Sequence, residues 1–396
     1  MSRHARLARG AALGAATAVF ASCATQEAIG PSSALISPLF NSYVAIGNSI
    51  TAGYQSGGIN DSTQRQSYAH LFAEQVGTRF AYPSVNGGDG CRLTVNFTTG
   101  AQNNSPPVGT PCARNAASIT DILNNVAVPG ATSLDPTAES TTASNGLTTL
   151  FLGGRTQVQE ALAAQPTFIS VWIGNNDILP YAIVGLPALG TPQASFVSNF
   201  DTMIGQLTAG APGLKGILIG VVNVANAPVL FTSAALKNAQ FLGGLSQAAG
   251  KNITTDNTCT GTDGSLISMQ IVPDIAAGKL SPVISCTAGP TTAPDDVLTL
   301  AEQAQVTAIV AGYNAFIAAK ADSLGWAYLD PNPILVSLKN QGLIPPFPNL
   351  ASATAPFGTY VTLDGVHPSR ASHVLIANAM IDAIDAKFNL AIAHTQ

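Results

Sequence analysis

The sequence predicts an α/β fold built on a parallel sheet. Short apolar runs at residues 43–46, 167–173, 216–224 and 326–329 have the length and composition of strands that are buried on both faces. Segments whose apolar residues recur at helical intervals separate most of these runs. Because parallel strands are joined by helical crossovers, this alternation indicates βαβ units. We expect one sheet of about five strands.

Three of the predicted buried stretches end in small polar or glycine-containing turns. The strand at 43–46 leads into a Gly-Asn-Ser turn that ends at Ser49. The apolar stretch 124–130 stops at Pro-Gly, and Gly130 tolerates backbone angles that would let its N–H point inward. The strand at 167–173 is followed by Gly-Asn-Asn-Asp at residues 174–177. Chemistry is therefore expected where these stretches end.

Helical periodicity accounts for most of the remaining ordered chain. It predicts helices over residues 66–76, 156–164 and 196–207. Thr299 opens a Thr-Leu-Ala-Glu capping box at the start of a longer helix. A final helix from about 369 to 388 carries one apolar stripe and should close the core. A single domain at residues 41–390 accommodates all of these elements.

The composition excludes one class of partner. The chain has 396 residues, of which 46% are hydrophobic and only 9% are charged. Its formal net charge of −5 removes the basic surface that nucleic-acid binding normally requires. With 37 glycines and 25 prolines, it reads as a loop-rich globular protein that binds neither DNA nor RNA.

The N-terminal segment has the pattern of an export signal. Residues 1–22 contain three arginines, then an uncharged small-apolar run that is too short to span a membrane. Cys23 follows Phe-Ala-Ser, which resembles a bacterial lipobox in which the cysteine is lipidated. We expect lipidation of Cys23, with residues 23–40 as a tether; ordinary cleavage near Ala24 is the alternative.

Four cysteines remain after Cys23, and an even number in an exported chain suggests disulfides: Cys91, Cys112, Cys259 and Cys286. Four cysteines allow three connectivities, and we expect the local pairs Cys91–Cys112 and Cys259–Cys286. Each pair brackets a Gly-, Asn- and Thr-rich segment, within predicted insertions at about 83–117 and 225–293. These bonds would staple loops that have little core of their own.

A serine, a histidine and an aspartate stand out as candidates for nucleophilic chemistry. A serine hydroxyl needs a base, and that base needs an orienting partner. His367 lies in Asp-Gly-Val-His-Pro, where Pro368 and Gly365 favour a tight non-helical loop and Asp364 can reach the imidazole. Solvated or packing roles suit the remaining histidines better: His4, His70, His373 and His394. Ser49 is the candidate nucleophile.

Ester chemistry also needs hydrogen-bond donors for a developing oxyanion. The candidates are the backbone N–H of Ser49, the backbone N–H of Gly130 and the side-chain amide of Asn176. If the sheet is parallel, the strand ends that precede them lie along one edge, together with the loop of Asp364 and His367.

Taken in order, the four blocks around Ser49, Gly130, residues 174–177 and residues 364–368 resemble the SGNH/GDSL hydrolases. The resemblance implies a flavodoxin-like three-layer α/β/α sandwich and a serine esterase, lipase or carbohydrate deacetylase. It implies Ser49 as nucleophile, His367 as base and Asp364 as its orienter, with Gly130 and Asn176 completing the oxyanion hole. Asp177 is expected to shape its loop. Asn48 departs from the pattern, because the family usually has Asp there.

These features predict an exported, lipid-anchored serine esterase of the outer membrane, periplasm or cell surface. It would act on a small-molecule, lipid or glycan ester without metal or organic cofactor. The apolar stretch 344–347 favours acyl chains over the competing substrate, an acetylated carbohydrate. The alternatives are a cell-surface binding lipoprotein on the same fold that has lost turnover, and acyl transfer to an acceptor other than water.

Overall fold

The computed structural model describes residues 35–85, 91–92, 94–95, 102–103, 113–119, 121–138, 147–290 and 292–396. Within these ranges the strands, in chain order, are β1 (Tyr43–Gly47), β2 (Gly58–Ile59), β3 (Cys91–Arg92), β4 (Thr94–Val95), β5 (Gln102–Asn103), β6 (Phe168–Trp172), β7 (Lys215–Ile219), β8 (Leu230–Thr232), β9 (Thr254–Thr255), β10 (Leu266–Ser268), β11 (Val283–Ile284), β12 (Val297–Leu298) and β13 (Ala327–Leu329).

The helices in the same ranges are α1 (Ser49–Ala52), α2 (Asp61–Gln64), α3 (Tyr68–Val76), α4 (Leu147–Leu152), α5 (Gln157–Ala163), α6 (Leu179–Val184), α7 (Gln193–Gly210), α8 (Ala239–Ala249), α9 (Ile271–Ala276), α10 (Leu300–Leu324), α11 (Asn332–Asn340) and α12 (Arg370–Phe388). The predicted capping box at the start of α10 is confirmed, because the side chains of Thr299 and Glu302 bond reciprocally to backbone N–H groups.

The central sheet has four parallel strands in the order β1-β6-β7-β13. An extended segment at residues 124–128 lies along the free edge of β1 and exchanges backbone hydrogen bonds with Ala45 and Gly47. This segment takes the place of a fifth strand, although it forms only an isolated bridge. The parallel sheet expected from the sequence is therefore present, with four full strands among the described residues.

Helices cover both faces of this sheet, which gives three layers. Val44 and Ile46 face one side, where they join a buried cluster with α5, α7 and α10. Tyr43 and Ala45 face the other side and pack with α3 and α12. The alternation follows from the two-residue repeat of a strand, and it explains why the strands are apolar on both faces.

The third strand ends earlier than its sequence predicts. The apolar run continues through residues 220–224, but β7 stops at Ile219. The N–H of Gly220 still donates to the carbonyl of Leu329. Beyond it, side-chain amide oxygens accept the backbone N–H groups: Asn314 accepts from Val221, Asn175 from Val222 and Asn332 from Asn223. These bonds replace those of a sheet and turn the chain outward at the carboxyl edge.

The insertion at 225–293 is more than a stapled loop. Together with β12 it forms a three-stranded antiparallel sheet of β8, β10 and β12 beside helices α8 and α9, around its own buried cluster. Cys259 and Cys286 are buried in that cluster with their sulfur atoms at bonding distance, 2.11 Å. The expectation of little core was wrong for this segment, because residues such as Phe231 and Phe241 supply the apolar contacts.

The structure does not test the other two cysteine predictions. Cys23 and Cys112 lie outside the described residues, so lipidation and the Cys91–Cys112 pair stay predictions. Within the described ranges, no helix is both long and apolar enough to cross a bilayer.

Candidate active site

Ser49 lies immediately beyond the carboxyl end of β1, as the first residue of α1. The preceding Asn48 caps this helix, because its side-chain oxygen accepts the N–H of Ile50 at 3.1 Å. Gly47 leaves no room for a side chain, since an added Cβ would lie 2.1 Å from Oγ1 of Thr51. The turn is therefore tight, and it holds the Ser49 hydroxyl at the edge of the sheet.

The structure brings Ser49, His367 and Asp364 together in one hydrogen-bonded chain. Nε2 of His367 lies 2.8 Å from Oγ of Ser49, and Nδ1 lies 2.9 Å from Oδ2 of Asp364. An ionised carboxylate can only accept, so Nδ1 donates to Asp364 and Nε2 presents its lone pair to the serine hydroxyl. This is the arrangement in which an imidazole can remove a proton from serine.

The loop that carries the histidine is fixed by its backbone. The N–H of Thr362 donates to the carbonyl of His367 at 2.9 Å, which closes the loop. Gly365 has φ +71°, and a Cβ there would meet the ring of Phe357 at 2.6 Å. The carbonyl of Gly365 also accepts the N–H of Val229, at 2.8 Å, which attaches the loop to the insertion. The imidazole is thus presented from a constrained turn.

Asp364 is held as an anion by converging donors. Oδ2 accepts from Gly57 N–H as well as from the imidazole, and Oδ1 accepts the N–H groups of Val366 and His367. The hydroxyl of Thr362 donates to Oδ1 at 2.9 Å. Burial favours the neutral acid, but His367 and these hydrogen bonds outweigh it and hold the pKa of Asp364 well below its usual range.

The two other predicted oxyanion donors lie on neighbouring segments of the same edge. The N–H of Val128 bonds the carbonyl of Gly47 at 3.1 Å, so Gly130 lies just past the end of β1, as Ser49 does. Gly130 has φ +81°, which a residue with a side chain rarely adopts. The Asn176 amide donates to the carbonyl of Ala131 at 3.0 Å, which leaves its second N–H for a ligand.

Asp177 binds the loop after Gly130 to the turn that carries Asn176. Its carboxyl oxygens accept the N–H of Ser133 at 2.8 Å and the hydroxyl of Ser133 at 2.7 Å. Burial raises the pKa of Asp177 to about 6, although the Ser133 bonds oppose that shift. These contacts give Asp177 a structural part in the loop and leave it out of the Ser49–His367–Asp364 chain.

Sequence reasoning missed two neighbours of the site. The ring of Tyr54 packs against the imidazole of His367, with 4.7 Å between centroids. The buried Gln157 accepts the N–H of Gly47 at 3.0 Å through its side-chain oxygen, which secures the strand end before the nucleophile. Neither residue belongs to one of the four sequence blocks. Helical periodicity placed Gln157 on a helix, but it gave no sign of the contact with Gly47.

The chain is similar to a known protein family and to several solved structures. A family model described as GDSL-like lipase/acylhydrolase matches residues 43–380. One similar solved structure is that of a catalytic mutant of the acetylxylan esterase Axe2 from Geobacillus stearothermophilus. The two chains are 13% identical, the match covers 87% of this chain and 94% of the other, and the TM-score is 0.40. A GDSL-like lipase structure from Parabacteroides merdae is 12% identical with a TM-score of 0.37, covering 87% and 95%.

No curated protein matches the chain. The family match alone spans far more than half of the sequence and contains all of the blocks around the hydrogen-bonded serine. The protein therefore belongs to the GDSL-like lipase/acylhydrolase family, and it is a serine hydrolase that acts on ester bonds.

Proposed function

We propose that the protein is an exported esterase that cleaves carboxylic esters through an acyl-enzyme on Ser49. The observation that carries this proposal is the chain of hydrogen bonds from Asp364 through His367 to Ser49, at 2.9 Å and 2.8 Å. A neutral hydroxyl is a weak nucleophile, and this contact supplies the base that it needs.

In the acylation step, Oγ of Ser49 attacks the ester carbonyl while Nε2 of His367 takes the hydroxyl proton. Asp364 stays ionised and stabilises the imidazolium that forms. The carbonyl oxygen becomes an oxyanion, for which the N–H groups of Ser49 and Gly130 and the amide of Asn176 are the proposed donors. Collapse of the intermediate breaks the ester C–O bond, and His367 returns the proton to the leaving alcohol.

In the deacylation step, water replaces the alcohol. His367 takes a proton from water as the water oxygen attacks the acyl-enzyme carbonyl. The second tetrahedral intermediate then releases a carboxylic acid, and the proton returns from Nε2 to Oγ of Ser49. Every proton passes through the one imidazole, so the steps balance without a cofactor.

The proposed location is the cell envelope. It is supported by the order of arginines, apolar run and small residues in 1–22, and by the lipobox-like residues that end at Cys23. Lipidation of Cys23 would hold the enzyme at a membrane surface with the catalytic domain in solvent. The tether predicted at 23–40 must end before Phe40, because Phe40 is buried against Phe72 and Phe168 in the core.

The test is labelling with a small fluorophosphonate, followed by peptide mapping. We expect one label, on Ser49, because only an activated serine reacts rapidly with this reagent. Ser49→Ala should abolish both labelling and hydrolysis of short-chain esters. Ser323→Ala is the matched control, since Ser323 is an exposed serine on α10 whose hydroxyl bonds a helix carbonyl.

A folded protein that takes up no label would contradict the proposal. It would instead support a binding lipoprotein that keeps the fold without turnover. Labelling of another serine in place of Ser49 would also contradict the proposal, because the serine bonded to His367 would then not be the nucleophile.

A further inference from the structure

An apolar cleft lies beside His367, at the carboxyl ends of β6, β7 and β13. Its cavity volume is about 110 Å³. Aliphatic side chains and prolines make up most of its wall, including Val222, Ile334, Leu338 and Ile376. Lys, Arg, Asp and Glu are absent from the residues that line it.

The segments that carry Ser49, Asn176 and His367 each contribute an apolar residue to this wall. Ile50 follows Ser49 directly, and Leu179 lies three residues after Asn176. Val366 precedes His367, and the imidazole itself lines the cleft. The cleft therefore adjoins the imidazole that would take the proton of Ser49.

The wall offers few polar groups to a sugar: those of Trp172, Tyr360, His367 and Ser372. Sugar hydroxyls need many hydrogen-bond partners, and buried polar groups without them lose free energy. The hydroxyl of Ser372 in the wall already donates to the carbonyl of Tyr360 at 2.6 Å. Both nitrogens of His367 are engaged by Asp364 and Ser49. A hydrocarbon chain suits this surface better than a carbohydrate does.

The early end of β7 creates part of this cleft. Because the chain turns outward after Ile219, Val222 and Val224 face the cleft instead of continuing the sheet. The Pro-rich stretch contributes Ile344, whereas its Phe347 packs against Phe241 in the insertion, with ring centroids 5.0 Å apart. Ile344 alone of these two is thus placed to contact a substrate.

We propose that this cleft holds the acyl chain of the substrate, and that the enzyme prefers esters of hydrocarbon acids of about six carbons or more to acetyl esters. The proposal rests on the esterase function proposed above. Each methylene that enters an apolar cleft gains free energy by leaving water, which corresponds to roughly a fourfold gain in kcat/KM when it is fully buried. Acetyl groups are too short to use this surface.

The test compares kcat/KM for 4-nitrophenyl acetate and hexanoate, measured below the micelle concentration. Four added methylenes should raise kcat/KM by about 10-fold to 200-fold, depending on how completely the chain is buried. An acetate value equal to or above the hexanoate value would overturn the proposal. Faster turnover of acetylated xylo-oligosaccharides than of hexanoate esters would do the same.

Two adjacent positions on α11 provide matched variants. Leu335 is half-buried and lines the cleft, whereas Val336 is 41% exposed and does not. Leu335→Asp places a charge in the path of the acyl chain, so the hexanoate-to-acetate ratio of kcat/KM should fall at least about tenfold. Val336→Asp adds the same charge on the solvent side and should leave the ratio unchanged.

Labelling separates failure of this inference from failure of the esterase function. If the fluorophosphonate labels Ser49 but the hexanoate preference is absent, the enzyme is intact and the cleft does not bind acyl chains. Equal ratios in the two aspartate variants, with normal labelling of both, would also overturn the assignment of the cleft.

Discussion

Two aspartates in different regions of the molecule show what decides the charge of a buried acid. Asp364, in the histidine loop, keeps 20% of its side chain exposed and accepts five hydrogen bonds. Asp296, before β12, is only 1% exposed, and its carboxyl oxygens accept no hydrogen bond from any described donor. The same side chain is thus held by donors in one place and faces other carboxyl groups in the other.

The pKa values of the two acids move in opposite directions. Asp364 has its pKa lowered, because His367 and the surrounding donors outweigh burial. Burial, with the nearby carboxylates of Asp274 and Asp295, raises the pKa of Asp296 to about 8. Burial alone therefore does not predict ionisation; the charges and hydrogen-bond donors that face the carboxyl group decide it. The site where chemistry is proposed is also the one where the donors converge.

Asp364→Asn should give the largest effect. The amide can donate to Nδ1 of His367, which would leave Nε2 protonated and unable to accept the Ser49 proton. We expect kcat to fall on the order of 10⁴-fold with little change in KM for a short ester. Steady-state kinetics measure the changes in kcat and KM, and the rate of fluorophosphonate labelling measures the reactivity of Ser49. A variant within tenfold of the wild type would show that the carboxylate is not needed to orient the imidazole.

Asp296→Asn should change the pH dependence of stability. A folded-state pKa near 8, above the ordinary 3.8, means that the neutral acid stabilises the fold at low pH and that this contribution is lost as pH rises through 8. The stability of the variant relative to the wild type should therefore rise with pH between about pH 4 and 8, by about 1.4 kcal/mol per pH unit. Asparagine also suits the φ of +59° at this position.

Urea unfolding at each pH measures this difference. Asp322→Asn is the control, because it removes an exposed aspartate from α10 and should give a small difference that does not grow across the same range. A difference between Asp296→Asn and the wild type that stays constant from pH 4 to pH 8 would show that Asp296 ionises normally in the folded protein.

Local sequence was sufficient to name the residues that meet at the sheet edge. Ser49, Gly130 and Asn176 each follow an apolar run, and parallel strands bring their carboxyl ends to one side. His367 stood out because Pro368 and Gly365 define a tight loop around it. Such features are encoded within a few residues, so they can be read without knowing the remainder of the fold.

Features that depend on distant partners could not be predicted in this way. The end of β7 is set by Asn175, Asn314 and Asn332, the last two about a hundred residues further along the chain. The core of the insertion is similarly dispersed among glycine- and threonine-rich loops, which dilute its periodicity. The donors around Asp364 include Gly57, more than three hundred residues away. Long-range contacts of this kind leave no local pattern.

Thr362→Val should give the smallest effect, since it removes one of the five donors to Asp364 and preserves the shape of the side chain. The lost bond to a charged acceptor should cost about 1–2 kcal/mol of stability, and kcat should fall less than about tenfold because four donors remain. Thr359→Val, in the exposed part of the same loop, is the control. If Thr362→Val were as slow as Asp364→Asn, a single hydroxyl would position the carboxylate. If neither kcat nor stability changed, the four remaining donors would be enough to hold Asp364 as an anion. The hydroxyl of Thr362 would then not contribute to its difference from Asp296.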